Sequence, residues 1–285
     1  MMIKWIFITS GKAPLGAAIA IYIGQARDSS KADQLLATLS EGSSQTDVGI
    51  VDFASFTELP PSVARYFQHV LTDGQKLIKT AKIEQSGVLR TGITTESWSP
   101  FTASEIVVPP AIGFLWSAKI EMPLGTHVRV LDSYIGGVGL GRGSLLSAFA
   151  VASEGGEPKL NSGALHRYVA EGVWFPTALL PQSGVAWSAI KDHSALATLT
   201  DRSTSVSLEF RFNEVGEVTS IYSAGRFGQF DGGYKQVPWQ GHFRDCHEEA
   251  GMRVPSYGKV GWYEDGVLQL VWKGDIIGTG YELEP

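Results

Sequence analysis

The feature that most constrains this chain is the stretch Arg167-Tyr168-Val169-Ala170-Glu171-Gly172-Val173-Trp174-Phe175-Pro176-Thr177-Ala178-Leu179-Leu180-Pro181. Its first half repeats apolar residues at helical spacing. Its second half is apolar and closed off by prolines. Leu165, Tyr168, Val169, Gly172 and Val173 form one buried helix face. Asn161 or Ser162 is expected to cap this helix, and Pro176 to stop it. A single long helix set among strands has to lay its apolar face on a sheet.

Strands dominate the rest. Ile78, Thr80, Lys82 and Glu84 alternate with Leu77, Lys79, Ala81 and Ile83, and Gly87 is expected to turn the chain into residues 88–96. Phe114, Trp116, Ala118 and Ile120 face one way, and Leu115, Ser117, Lys119 and Glu121 the other. Val128, Val130 and Asp132 alternate with Arg129, Leu131 and Ser133. Later runs cover residues 185–190, 195–200, 205–212, 217–226, 241–248, 259–263, 267–273 and 276–282. Turn residues such as Asp231-Gly232-Gly233 and Glu264-Asp265-Gly266 separate several of them. The expectation is a mainly β (β-rich α+β) fold: a curved antiparallel sheet or half-barrel wrapped on one long helix. Its concave side offers an apolar cavity unless side chains fill it. A shorter helix is expected after Pro60-Pro61, with Val63, Tyr66, Phe67, Val70 and Leu71 as its stripe.

The beginning of the chain reads differently. Met1-Met2-Ile3-Lys4 and the apolar runs up to Gly24-Gln25-Ala26 outline a signal peptide or anchor. A buried N-terminal strand or helix is the alternative. A helix is expected over residues 29–39. Residues 1–42 are thus expected to be a hydrophobic leader or anchor plus a short helix, and 43–285 a single β-rich domain. Membrane association would run through that leader, and the cell envelope is the expected location.

Composition excludes several functions. A net charge of −6 with no long basic run argues against a nucleic-acid groove. One cysteine, Cys246, permits no intrachain disulfide and leaves no Cys-based zinc site. Gly136 to Ser144 has the glycines of a phosphate loop, but Arg142 stands where the motif needs Lys and no βαβ pattern follows. It reads as a glycine-rich bend between strands. His242, Arg244, Cys246 and Glu248 fall on one strand face and Asp245 and His247 on the other. That splits the histidines, and the run reads as a polar edge strand rather than a metal site. No serine elbow is present. No cofactor and no metal is expected.

Arg167-Tyr168, Glu171 and Trp174 to Pro181 resemble the signature of a bacterial domain family of unknown function. Leu59-Pro60-Pro61 with Arg65-Tyr66, Trp98-Pro100-Phe101-Thr102 and Gly113-Phe114 with Trp116 match it in order. So do Arg129-Val130 with Asp132 and Tyr134, Pro238-Trp239 with Gly251 to Pro255, and Val260-Gly261-Trp262. The resemblance runs from about residue 58 to the C-terminus and implies a fold similar to the lipoprotein-carrier half-barrel. Members usually begin with a hydrophobic segment, here shorter and interrupted by Lys12. They usually carry Tyr where Cys246 stands, which makes Cys246 a poor catalytic candidate.

Three functions are expected from this architecture. The first is binding of an apolar small molecule or lipid on the concave face, with Arg167, Glu171, His166 and Trp174 as ligand-binding residues. The second is an enzyme acting on a small apolar substrate in the same cavity, with Glu171 as acid/base. A carboxyl beside Trp174 in an apolar pocket would have a raised pKa. The third is a structural envelope protein with a filled core. Against a site, Glu171 reads as one half of an ion pair, with Arg167 four residues away or with Arg129 or Arg226. Trp98, Trp116, Trp174, Trp187, Trp239, Trp262 and Trp272 read as core or as cavity wall.

Overall fold

A computed structural model describes residues 14–42, 49–90, 93 and 96–284. The expected basic start and first apolar run, residues 1–13, lie outside the described residues, as does most of the polar break at 42–46.

Among the described residues three α-helices accompany the sheet: α1 (Pro14–Glu41), α2 (Pro61–Val70) and α3 (Pro158–Glu171). Six strands precede α3: β1 (Ile78–Leu89), β2 (Ser99–Val108), β3 (Gly113–Met122), β4 (Thr126–Ile135), β5 (Val138–Leu145) and β6 (Phe149–Gly155). Seven follow it: β7 (Val185–Lys191), β8 (Ser194–Asp201), β9 (Thr204–Phe212), β10 (Val218–Phe230), β11 (Gly233–Glu249), β12 (Met252–Glu264) and β13 (Val267–Leu283). All thirteen belong to one antiparallel sheet in the order β6-β5-β4-β3-β2-β1-β13-β12-β11-β10-β9-β8-β7. Two meanders are therefore stitched together where β1 pairs with β13. The sheet is mainly β, curved and unclosed, as expected.

The curvature follows from α3. It packs on β4 and β5 at one side and on β9, β10 and β11 at the other, so the sheet has to curl around it. Leu165, Tyr168, Val169 and Val173 are buried in the main core. Each large side chain taken out of water there contributes about 1.5–3 kcal/mol. Three short 3-10 turns carry the apolar segment Gly172–Ser183 back to β7, and Phe175, Leu179 and Leu180 within it are fully buried.

Four local expectations are corrected. Helix α3 begins at Pro158, with Glu157 at the N-cap position, and Asn161 instead accepts a bond from the Gly139 amide at 2.8 Å. Proline supplies the preset φ of a first helical turn, which displaces the cap upstream. Gly87 makes no turn: β1 runs through it, because a Cβ there would meet the Lys273 carbonyl oxygen at 2.1 Å. Glycine serves close approach of β13 rather than reversal. In the glycine-rich run only Gly136 and Gly137 turn, at φ 60° and 85°, while Gly139, Gly141 and Gly143 lie in β5. The runs at 267–273 and 276–282 are one strand, β13.

Part of the outer face of the sheet is also covered. Helix α1 crosses β2 to β6 there. Leu39 packs with Val108 and Leu115 in a small separate core. Asp28 is 1% exposed and bonds Arg129 of β4, Arg142 of β5 and the Ser144 hydroxyl. No helix among the described residues is long and apolar enough to cross a membrane.

Candidate functional site

Strand alternation and helical spacing aim a polar set at one another on the concave side. Phe101, Ala103, Glu105 and Val107 of β2 point inward, as do Phe114, Trp116 and Ala118 of β3. Val130 and Asp132 of β4 share that face. On α3, Arg167 and Glu171 are one turn apart, and Trp174 follows one turn later.

Arg167 is the hub. Its Nε donates to Glu171 Oε1 at 2.9 Å and its Nη1 to Asp132 Oδ2 at 2.7 Å, while Nη2 lies 3.6 Å from Glu105 Oε1. The guanidinium also sits 5.0 Å from the Phe114 ring centre and 4.8 Å from that of Trp116. Burial works against the arginine charge, but Glu171, Glu105 and Asp132 outweigh it and raise its pKa. The arginine is locked in the charged state.

Glu105 is wholly buried. Gln85 Nε2 donates to its Oε2 at 3.1 Å, and Gln85 Oε1 in turn accepts from Trp116 Nε1 at 2.9 Å. Burial pushes the Glu105 carboxyl well above the usual carboxylate range, and the Glu171 charge pushes it further, against the pull of Arg167. Neither Glu105 Oε1 nor Glu171 Oε2 has a hydrogen-bond partner among the described residues. Glu105 therefore holds its proton more tightly than an exposed glutamate does.

Above this cluster lies a cavity of about 190 Å³. Trp116, Trp174, Trp239, Trp272 and Phe243 supply most of its wall, with Arg167, Glu171, Asp132 and Arg226 at its polar side. Trp174 is held by a bond from its Nε1 to the Pro255 carbonyl at 3.0 Å and stacks edge-on to Phe243 at 5.7 Å. A second, more open groove of about 320 Å³ lies between α3, β5 and the β10–β11 hairpin. Asp132 and Arg226 line both.

Of the residues singled out in the sequence, Arg167, Glu171 and Trp174 come together at the cavity. His166 does not line it. Its Nδ1 donates to the Ser162 carbonyl at 2.9 Å, and its Nε2 lies 3.4 Å from the Ser223 hydroxyl. Burial pulls its pKa down to about 4, so the ring is neutral. Glu171 pairs with Arg167, not with Arg129 or Arg226. Arg129 lies on the opposite sheet face with Asp28, as its alternation with inward Val130 requires. Arg226 instead bonds the Gly163 carbonyl. Of the tryptophans named above, Trp116, Trp174, Trp239 and Trp272 wall the cavity, and Trp262 lines the groove.

Neither Glu105 nor Gln85 stands out from the sequence pattern. In strand β2, Phe101, Ala103, Glu105 and Val107 alternate with Thr102, Ser104 and Ile106. An acid in the apolar register of a strand was the available signal. Among the described residues no group of three His, Cys, Asp or Glu is placed to hold a metal ion.

Comparison with known proteins bears on the fold and the family. No curated protein matches the chain. A domain named for outer membrane lipoprotein sorting, from Vibrio parahaemolyticus, superposes with a TM-score of 0.43 at 7% identity, covering 71% of this chain and 85% of its own. A LolA superfamily protein from Nitrosomonas europaea superposes with a TM-score of 0.43 at 10% identity, covering 82% and 96%. The sequence itself matches a family model over residues 57–281, and the chain accordingly belongs to that family of unknown function, DUF6920.

Proposed function

We propose that this protein binds an apolar small molecule or the apolar part of a lipid in the tryptophan-walled cavity. The observation that carries this reading is a tryptophan-walled space of about 190 Å³ in the concave face. Four indoles and Phe243 offer large contact area, and the Arg167 cluster gives the space one polar end. Binding sites combine apolar walls with a few convergent polar groups in this way. Burial of the ligand's apolar surface supplies the affinity, at about 25 cal/mol per Å² before ordering costs. A completely filled core would have favoured the purely structural reading instead.

The test is extraction of the purified protein followed by mass spectrometry, with tryptophan fluorescence during titration of a short-chain probe such as methyl octanoate. A co-purified apolar compound, or saturable quenching, supports the reading. Absence of both would overturn it.

The Glu105–Glu171 pair supports a second reading, an enzyme on a small apolar substrate with Glu171 as acid/base. A buried carboxyl that keeps its proton beside a second carboxyl can serve acid/base chemistry on a substrate. Glu171→Gln would then spare folding and abolish turnover. An envelope location and membrane association through residues 1–26 belong to the same proposal, and cell fractionation tests them.

A further inference from the structure

The two arginines of the concave face differ in one respect. Arg167 is shared by three carboxyls. Arg226, at the inner side of β10, has none within ion-pair distance among the described residues. Its Nε and Nη2 both donate to one acceptor, the Gly163 carbonyl, at 3.1 and 2.9 Å. Its guanidinium is held against two indoles, 4.5 Å from the Trp239 ring centre and 5.1 Å from that of Trp262. A guanidinium has five donor hydrogens in a fixed fork, so this one has donors to spare. Leaving a cation without a counter-ion in apolar surroundings is costly. Burial accordingly weakens its hold on the proton, to a pKa of about 10, which still leaves it charged at neutral pH.

The acids around it are held mainly by other partners: Glu171, whose charge also reaches it, accepts from Arg167 Nε through Oε1, while its Oε2 is unpartnered among the described residues. Asp132 accepts from Arg167 at 2.7 Å. Glu154, across the groove, accepts from Gln229 Nε2 at 2.7 Å and from the Tyr234 hydroxyl at 2.6 Å. Arg226 also lines both the tryptophan cavity and the more open groove. A molecule with an acidic group on Arg226 could therefore keep that group in the groove while its apolar end fills the cavity.

We propose that the ligand is an anionic amphiphile whose carboxylate or phosphate head is held by the Arg226 guanidinium, with its apolar end among the cavity tryptophans. This rests on the reading of the cavity as a binding site. The fork geometry suits two oxygens of one acidic head, and the indole faces fix its plane.

Titration with octanoate, octyl phosphate and methyl octanoate at pH 8, followed by tryptophan fluorescence, tests the assignment. A charge-assisted pair gives about tenfold to a hundredfold tighter binding of an acid than of the ester. Whichever acid binds tighter identifies the head. Arg226→Gln should erase the preference for acid over ester, read as the ratio of the two affinities in the variant, while Arg226→Lys keeps part of it. Equal affinity of wild-type protein for acids and ester overturns the assignment but leaves the cavity reading standing. So does a preference that survives Arg226→Gln in a protein with native circular dichroism. If neither variant folds, the wild-type comparison alone decides. Failure of all three probes to bind sinks the cavity reading, and this assignment with it.

Discussion

Arg167 Nη1 and Asp132 Oδ2 are 2.7 Å apart, which ties the helix inside the half-barrel to strand β4 of its wall. The tie is strong because the same guanidinium also holds Glu171 and faces Glu105. Removing the arginine would leave three carboxyls clustered where water is scarce. Arg167→Met is expected to cost about 3–5 kcal/mol, the range for breaking a buried ion pair from one side. Urea denaturation at neutral pH measures this. A loss below about 1 kcal/mol would show that the cluster is solvated and not a structural tie.

The raised Glu105 pKa makes a second prediction, with a definite sign. In the unfolded chain Glu105 ionises near the ordinary glutamate value of about 4.3. In the folded protein it keeps its proton to higher pH. Between these two values the native state binds more protons than the unfolded one, so this group's contribution is full at low pH and falls as pH rises. Glu105→Gln keeps the size and shape of the side chain but cannot ionise. Its stability relative to wild type should therefore improve from pH 5 to pH 8. Denaturant midpoints across that range check it, and an unchanged difference would contradict the raised Glu105 pKa.

His166 behaves oppositely. Its folded pKa is about 4, below the ordinary value of about 6.5. The unfolded state binds the extra proton in between, so stability is present above pH 6.5 and lost as pH falls towards 4. The shift corresponds to an effect on the order of 3 kcal/mol. His166→Gln can still donate to the Ser162 carbonyl and should flatten the acid limb of the stability profile by roughly that amount.

How far the sequence foretold this site depends on what kind of neighbour each residue has. Arg167 and Glu171 were visible together because helical spacing is local. Their meeting with Asp132 was not, since it needs β4 and α3 to cross, and no periodicity encodes that. Glu105 stayed hidden because a single acid in an alternating strand looks like a surface residue until the partner strands are known. Arg129 teaches the converse. Its alternation with Val130 already placed it on the outer face, and that parity alone excludes it as a partner for Glu171. The sheet was legible from turns and alternation, except where glycine had a role other than turning. At Gly87 it makes room for β13, and at Gly139 a Cβ would meet the Leu160 carbonyl of α3 at 3.0 Å.

Asp28 gives the last prediction. It is the one buried acid of α1 and accepts from Arg129 and Arg142, each at 3.2 Å, and from Ser144 at 2.6 Å. The apolar seat of this helix is small, since Leu39, with Leu35 beside it, is its main contribution to the outer core. Polar anchoring therefore decides whether α1 stays on the sheet. Asp28→Ala leaves two arginines facing each other without their acid. Both arginines keep some solvent contact, so the loss should fall near about 3 kcal/mol, the low end for a broken buried pair. The loss should also be local. Amide exchange in residues 24–41 is expected to speed up by about two orders of magnitude or more, while α3 stays protected, because no α3 residue bonds to Asp28. Hydrogen exchange read by mass spectrometry distinguishes this from global unfolding: equal deprotection of both helices would show that α1 and the concave core melt as one unit.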